Sequence, residues 1–561
     1  MIDAIPPGLV LIVGGLVLPF AGEALRRVLL LGLPLIVLAM VWQVGDGAIL
    51  EIAFLDYTLS PIEGSRLGRL FATVFALMAF AGGLFAIGSA AHRGELAAAY
   101  VYAGAAIGVA FAGDLITVFV FWEVMAVGST LVIWSAGSNA ARRAGMRYVM
   151  VHLLGGVVLM AGIVAHVGET GSVAFEVMAL DGWPRWLILA GFLVNAGAPP
   201  LSAWIPDAYP ETSPSGMVFL SAFTTKTAVF VLLRGFPGSE ILIWFGLFMV
   251  FYGIIYALLE NDMRRILAYS IVNQVGFMVA GIGIGTELAL NGAAAHAFTH
   301  IIYKALLLMS AGSVLAMTGR RKCSDLGGLF QSMPLTATCG IIGALAISSF
   351  PLTSGFISKS MISEAAAVEH LGLVWFLLTA ASAGVFLHAG IKFPWFVFFQ
   401  KDSGLRPPDP PWTMRAAMLL FAFLCIALGV YPAPLYAILP YPIDYVPYTF
   451  AHVVTMLQLL LFAGLAFFVM LPWMQRTLTI SLDWDWLYRV LGKGAALTVG
   501  RAITSIDNQV RSSTRLQIND IIAEIFRHHG PHGVLARSWT SGSMVLWVAI
   551  LLAVVLIFYY A

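Results

Sequence analysis

The sequence predicts an all-α integral membrane protein, a polytopic helical bundle, and two observations carry that prediction. Of 561 residues, 60% are hydrophobic and 11% are charged, with a net charge of +1, whereas ordinary soluble domains carry about 25% charged residues. A bilayer core of roughly 30 Å asks for about 20 apolar residues per helical span, and about sixteen stretches of that kind can be counted. No nucleic-acid partner is expected of so apolar and nearly neutral a chain. Cys323, Cys339 and Cys425 are scattered without CxxC spacing, which argues against a disulfide framework, an iron-sulfur site or a thiol-based zinc site. The chain carries no quinone, flavin or metal motif, so no cofactor of its own is expected.

The predicted spans lie near 8–26, 28–46, 68–91, 97–113, 115–136, 147–167, 184–203, 214–233, 238–258, 265–285, 292–317, 335–361, 371–399, 413–432, 452–473 and 543–560. The opening MIDAIPPGLVLIVGGLVLPF lacks a basic n-region and is followed by further spans, so the first span is read as retained. Basic residues follow the odd-numbered spans: Arg26 and Arg27, Arg93, Arg142, Arg143 and Arg147, Arg264 and Arg265, then Arg320, Arg321 and Lys322. Loops after even-numbered spans hold acids such as Asp46, Glu51, Asp56, Glu63, Glu169, Glu176, Asp181 and Glu287. The positive-inside rule therefore predicts an outside N-terminus and a cytoplasmic segment 474–542.

Two spans are interrupted alike. NAGAPPLSAWIPDAYPETSP (195–214) and ISSFPLTSGFISKSMISE (347–364) both place Pro-Leu-Ser/Thr in a span, where Pro200 and Pro351 free backbone carbonyls. A broken helix is tolerated at that depth only where protein or water satisfies the backbone. Paired breaks suggest inverted repeats with a pathway near the midplane.

Ionisable residues inside spans cost on the order of 3 kcal/mol each and are functional candidates by default. Glu123, Lys226, the series His296, His300 and Lys304, Lys359 and Lys392 are such residues. One carboxylate among lysines makes no metal site, but it makes a proton relay. Burial and a nearby carboxylate move a lysine's proton affinity in opposite directions, so changing the distance between Glu123 and Lys226 would load or release a proton. Histidine passes protons between two ring nitrogens. Residues four apart on a helix are separated by about 6 Å along the axis, so His296, His300 and Lys304 form a stripe about 12 Å long that water can bridge. Lys392, beside Pro394 and Trp395 near the predicted end of its span, could instead snorkel to the interface.

FWEVM around Glu123, SAWIPDAYPETSP, LLENDMRRILAYSIVNQVGF (258–277), HAFTHIIYKALLL and SGFISK ending at Lys359 resemble the antiporter-like subunits shared by respiratory complex I, membrane-bound hydrogenases and Mrp-type multisubunit Na+/H+ antiporters. The resemblance covers roughly residues 70–400, with the motifs in order, and is strongest to the D-type subunit of Mrp antiporters. It implies about fourteen core helices, two inverted five-helix repeats, two discontinuous helices and a hydrated line of charges at the midplane. The expected organisation is N-terminal helices in 1–96, a first repeat in 97–235, a second in 236–400, C-terminal core helices in 401–473, a cytoplasmic amphipathic segment in 474–542 and a terminal anchor in 543–561. Glu123, Lys226, His300, Lys304 and Lys359 match the family's charged positions. Counting back nine from Trp204 reaches Asn195, where the family commonly has a lysine; asparagine carries no proton, so either Lys226 takes over as partner of Glu123 or the first half-channel has lost independent proton transfer.

The function expected is that of a proton-translocating subunit in a hetero-oligomeric complex of the bacterial inner membrane, with no catalytic motif of its own. Protons enter near a broken helix, pass Lys226, His300 and Lys304, and leave near Lys359, with a Glu123 ion pair as gate. In an Mrp-type complex the partners include Na+, and in a complex I-like or hydrogenase-type complex electron transfer in another subunit would drive pumping. A non-conducting subunit that scaffolds such a complex is the alternative that Asn195 favours.

Overall fold

The computed structural model describes residues 5–89, 91–473 and 483–561. The chain opens with α1 (Pro7–Val17) and α2 (Glu23–Val41), then a hairpin of β1 (Gly47–Phe54) and β2 (Tyr57–Gly64). It continues through α3 (Arg66–Gly88), α4 (Arg93–Phe111), α5 (Leu115–Trp134), α6 (Asn139–Thr170), α7 (Trp183–Ala196), α8 (Trp204–Ala208), α9 (Pro214–Leu220) and α10 (Thr224–Gly235). Next come α11 (Ile241–Leu259), α12 (Met263–Ile284), α13 (Glu287–Thr318), α14 (Pro334–Ile347), α15 (Ser354–Val368) and α16 (Gly372–Val385), which runs on into π-helical turns at Phe386–Lys392 and Trp395–Phe399. α17 (Trp412–Val430), α18 (Ala433–Ala437) and α19 (Phe450–Met470) complete one compact unit, Met1–Asp485. A second unit, Trp486–Ala561, contains α20 (Lys493–His529) and α21 (Ser541–Tyr560). Residues 474–482, the start of the predicted cytoplasmic segment, lie outside the described residues.

Among the described residues, thirteen helices are long and apolar enough to cross a membrane. The other predicted spans became short or broken helices, chiefly α1, of 11 residues, α7, of 14, and α14, also of 14. The first boundary moves: the chain was expected to break near residue 27, but α1 ends at Val17 and α2 starts at Glu23. Gly22 sets the restart, holding φ −61° and ψ 162° ahead of the new helix. The antiparallel hairpin, pairing Gly47 with Gly64 and Phe54 with Tyr57, was not expected. β1 is largely exposed on both faces, so it lacks the apolar alternation by which a strand is recognised.

Local chemistry fixes the ends. Side chains of Ser65, Asp114, Ser138, Ser213, Asp262, Thr286 and Thr449 accept hydrogen bonds from first-turn N–H groups, which have no partner inside a helix. One order of elements occurs twice. A helix of 32 residues, α6 or α13, precedes a broken one, α7/α8 or α14/α15, and then an interrupted one, α9/α10 or α16 with its π-helical turn. α10 and α12 are buried along nearly their whole length and α13 along most of it, whereas α5 and α6 turn Val120, Val127, Met150, Leu154 and Val157 outward. Apolar side chains on an outer face are what a lipid-facing helix requires.

Candidate functional site

The two breaks expose carbonyl ends, and polar side chains meet them. The helix of the first break stops at Gly197, whose φ of 78° a residue with a Cβ adopts poorly, and the turn runs through Pro200 to α8. Trp204 Nε1–H donates to Val194 O at 2.9 Å. The second break turns through Ser349, Pro351 and Leu352, and Lys359 Nζ donates to Ile347 O, the last carbonyl of α14, at 2.9 Å. The Lys359 ammonium also stands 4.9 Å from the centroid of the Phe277 ring.

Lys226 repeats this arrangement at the α9/α10 interruption. Its Nζ donates to Ser221 O at 2.7 Å and to Thr225 Oγ1 at 3.1 Å. Lys392, which could have reached the interface by its sequence position, is instead 1% exposed. Its Nζ donates to the carbonyls of Ala257, Leu258 and Glu260 at 2.8, 2.6 and 2.7 Å, capping the C-terminal end of α11. Cations suit these positions because the last carbonyls of a helix lack intrahelical partners and carry its negative pole.

The series on α13 is fully buried. His296 lies between Ser358 Oγ and Gln274 Oε1, both at 3.1 Å, and Tyr303 O–H donates to the same Gln274 oxygen at 3.1 Å. The His296 and His300 ring centroids are 6.1 Å apart, and neither His300 nitrogen has a hydrogen-bond partner among the described residues. Lys304 Nζ donates to Ser270 Oγ of α12 at 2.8 Å. Lys226 is within electrostatic reach of both His300 and Lys304. Among the described residues, Lys226, Lys304 and Lys359 have no carboxylate partner.

Glu123 does not join this group as expected. The Glu123–Lys226 ion pair is absent, because Lys226 turns toward the end of α9 while the Glu123 carboxyl packs against α6. A Cβ at Gly156 would lie 3.1 Å from Glu123 Cδ, so the missing side chain there makes room for the carboxyl. Asn195 is buried, and its Oδ1 is 2.7 Å from His152 Nδ1.

Sequence reasoning passed over His152, Gln274, Tyr148, Thr224 and His388. His388 is fully buried four residues before Lys392, the same spacing as His300 and Lys304, and that spacing was the available signal. His152 had no such signal, since its partner is Asn195 on another helix. Among the described residues, no group of three or more His, Cys, Asp or Glu side chains is placed to hold a metal ion.

Residues 112–386 match the family described as NADH:quinone oxidoreductase/Mrp antiporter, TM. That match spans just under half of the chain, which through this segment resembles the family. It is 31% identical over 357 residues to a probable K(+)/H(+) antiporter subunit, of type A/B, from Rhizobium meliloti, covering 59% of this chain and 36% of that protein. It is also 31% identical over 279 residues to the D-type Na(+)/H(+) antiporter subunit of Alkalihalophilus pseudofirmus, covering 46% of this chain and 56% of that protein. The chain thus spans well under two thirds of either relative's length. Its fold is similar to a chain in the structure of the membrane-bound sulfane sulfur reductase, an archaeal respiratory membrane complex, with a TM-score of 0.73, 22% identity and coverage of 99% of this chain and all of that one. In this chain the helical architecture surrounds a buried set of lysines and histidines on α10, α13 and α15.

Proposed function

We propose that this chain is a proton-translocating subunit of a multisubunit cation/proton antiporter, similar to the D-type subunit of Mrp antiporters, acting within a hetero-oligomeric membrane complex. The observation that carries the reading is that Lys226 and Lys359 sit at the carbonyl ends of interrupted helices, with His296, His300 and Lys304 fully buried on α13. Each amine is held by carbonyl or hydroxyl oxygens, bonds that a water molecule can replace at little enthalpic cost. A proton therefore passes along the series by exchange of these neutral partners, with no ion pair to break at each step. Desolvating an ammonium without a counter-ion is costly, and such an arrangement is kept where the charge is used.

The proposed relay comprises Glu123, Lys226, His296, His300, Lys304, Lys359 and Lys392. Protons enter near one broken helix and leave near the other, and the partner subunits couple this flow to Na+ movement. The cytoplasmic placement of 474–542, the outside N-terminus and the bacterial inner membrane belong to this reading. α20 supports it with an exposed apolar row, Val499, Ile503, Ile506, Val510, Ile518 and Ile525, suited to a membrane surface or a neighbouring subunit.

Membrane vesicles carrying the assembled complex test the proposal through acidification of a pH-sensitive dye. Lys226→Ala and Lys359→Ala are each expected to lower transport at least tenfold without loss of assembly; wild-type rates in both would overturn it. Subunits that copurify distinguish an antiporter from a redox complex. A scaffolding subunit is the second reading, favoured by Asn195 in the first half, and it predicts wild-type transport in every one of these variants.

A further inference from the structure

His152 of α6 is 1% exposed and lies in the polar layer of the first repeat. Asn195 Oδ1, 2.7 Å from Nδ1, fixes the ring. With a carbonyl oxygen facing Nδ1, the neutral ring carries its proton on Nδ1 and leaves a basic lone pair on Nε2. Among the described residues Nε2 has no hydrogen-bond partner, and neither has Asn195 Nδ2 or Glu123 Oε1. Buried polar atoms are almost always partnered, so three without partners in one layer mark a place built for something other than packing.

The surroundings give the histidine two neighbours in a line. One turn along α6 toward Thr170 is Gly156, against which the Glu123 carboxyl rests. One turn the other way is Tyr148, its ring centroid 4.0 Å from that of His152. Tyr148 O–H donates to Ser129 Oγ at 2.9 Å and lies 3.4 Å from Thr224 Oγ1, and Thr224 stands two residues before Lys226 on α10. Trp204 of α8 closes the side of the ring, with centroids 4.7 Å apart.

The charged groups on the packed elements are few. α5 presents Glu123, and α10 presents Lys226 beyond Tyr148 and Thr224. α8 presents Asp207, bound by Arg147 of α6 through two bonds of 2.7 Å. α7 presents Asn195, with Arg185 at its opposite end.

We propose that His152 is the protonatable residue of the first half-channel, with Asn195 as its positioning residue. The inference rests on the proton-translocating reading above. In the step, the protonated Glu123 carboxyl gives its proton through water to His152 Nε2; the O–H bond breaks and an N–H bond forms, leaving carboxylate and imidazolium. The imidazolium then returns that proton from Nε2, through water along Tyr148 and Thr224, to the neutral amine of Lys226. The ring returns to its Nδ1–H form and Lys226 becomes the ammonium. No net charge is created in either transfer.

The test measures dye-reported proton transport across pH in vesicles carrying the assembled complex, with H152Q, H152K, N195A and, as control, K304A. H152Q is expected to lower transport at least tenfold. H152K is expected to retain transport with its pH profile displaced to the alkaline side, as lysine's higher intrinsic proton affinity requires. N195A is expected to keep transport but shift the profile, since it frees the ring without removing it. If K304A abolishes transport while H152Q keeps the wild-type rate and profile, His152 is a packing residue and the inference fails alone. If both variants transport normally, the underlying reading fails with it. Should H152Q prevent assembly, H152K decides: an assembled complex with an unshifted profile overturns the proposal.

Discussion

Replacing Gly156 by alanine perturbs the Glu123 carboxyl without touching it chemically. The new Cβ would stand 3.1 Å from Glu123 Cδ, whereas carbon atoms in contact sit at about 3.5–4.0 Å. The nearest atom is Oε1, which the new Cβ would overlap, so the carboxyl must retreat by about 1 Å, and misplacing a reacting group that far can cost about 10²-fold in rate. Alanine in a helix interior is more favourable than glycine by roughly 0.5–1 kcal/mol, so the helix itself is not weakened. Transport by vesicles carrying the complex is expected to fall between tenfold and a hundredfold in G156A. Pairing it with E123D, which shortens the side chain by one methylene, is expected to recover part of that loss. A wild-type rate in G156A would refute the idea that the carboxyl's position against α6 matters.

Other consequences concern stability and tethering. Lys392→Met leaves the carbonyls of Ala257, Leu258 and Glu260 without their ammonium; at about 1–3 kcal/mol per unsatisfied buried group, the melting temperature of the purified complex should drop clearly, and Lys392→Arg should restore most of it. Asp207→Ala removes the two bonds of 2.7 Å to Arg147, whose side chain is 28% exposed, and should cost about 1.5–3 kcal/mol, seen as earlier thermal unfolding. Tyr252 and Tyr269 hydroxyls donate to Asp483 at 2.7 and 2.5 Å. The double variant Y252F/Y269F should therefore raise protease cleavage near residue 483, while an unchanged digestion pattern would show that these bonds do not hold the segment.

Much of the architecture was legible because a membrane chain writes its spans as apolar runs. The breaks at Pro200 and Pro351 were visible for the same reason, since proline cannot donate the bond that a continuous helix needs. The stripe of His296, His300 and Lys304 followed from a spacing of four, and α13 places all three in the interior. What the sequence concealed depends on contacts between helices. Lys226 was paired with Glu123 by its charge and by the asparagine at position 195, but a carbonyl at a helix interruption satisfies an ammonium as well, and Ser221 O is nearer in the chain. His152 was invisible because its meaning comes from Asn195, 43 positions away. The hairpin of β1 and β2 escaped because its pairing is made by backbone bonds that leave little pattern in an exposed strand.

The central claim is that the buried lysines and histidines conduct protons, and Lys304, fully buried on α13, is one of them. The direct test is proton transport by vesicles carrying the complete complex, comparing wild type with Lys304→Ala at matched assembly. The account predicts a loss of at least tenfold. A complex that contains Lys304→Ala and transports protons at the wild-type rate would contradict it.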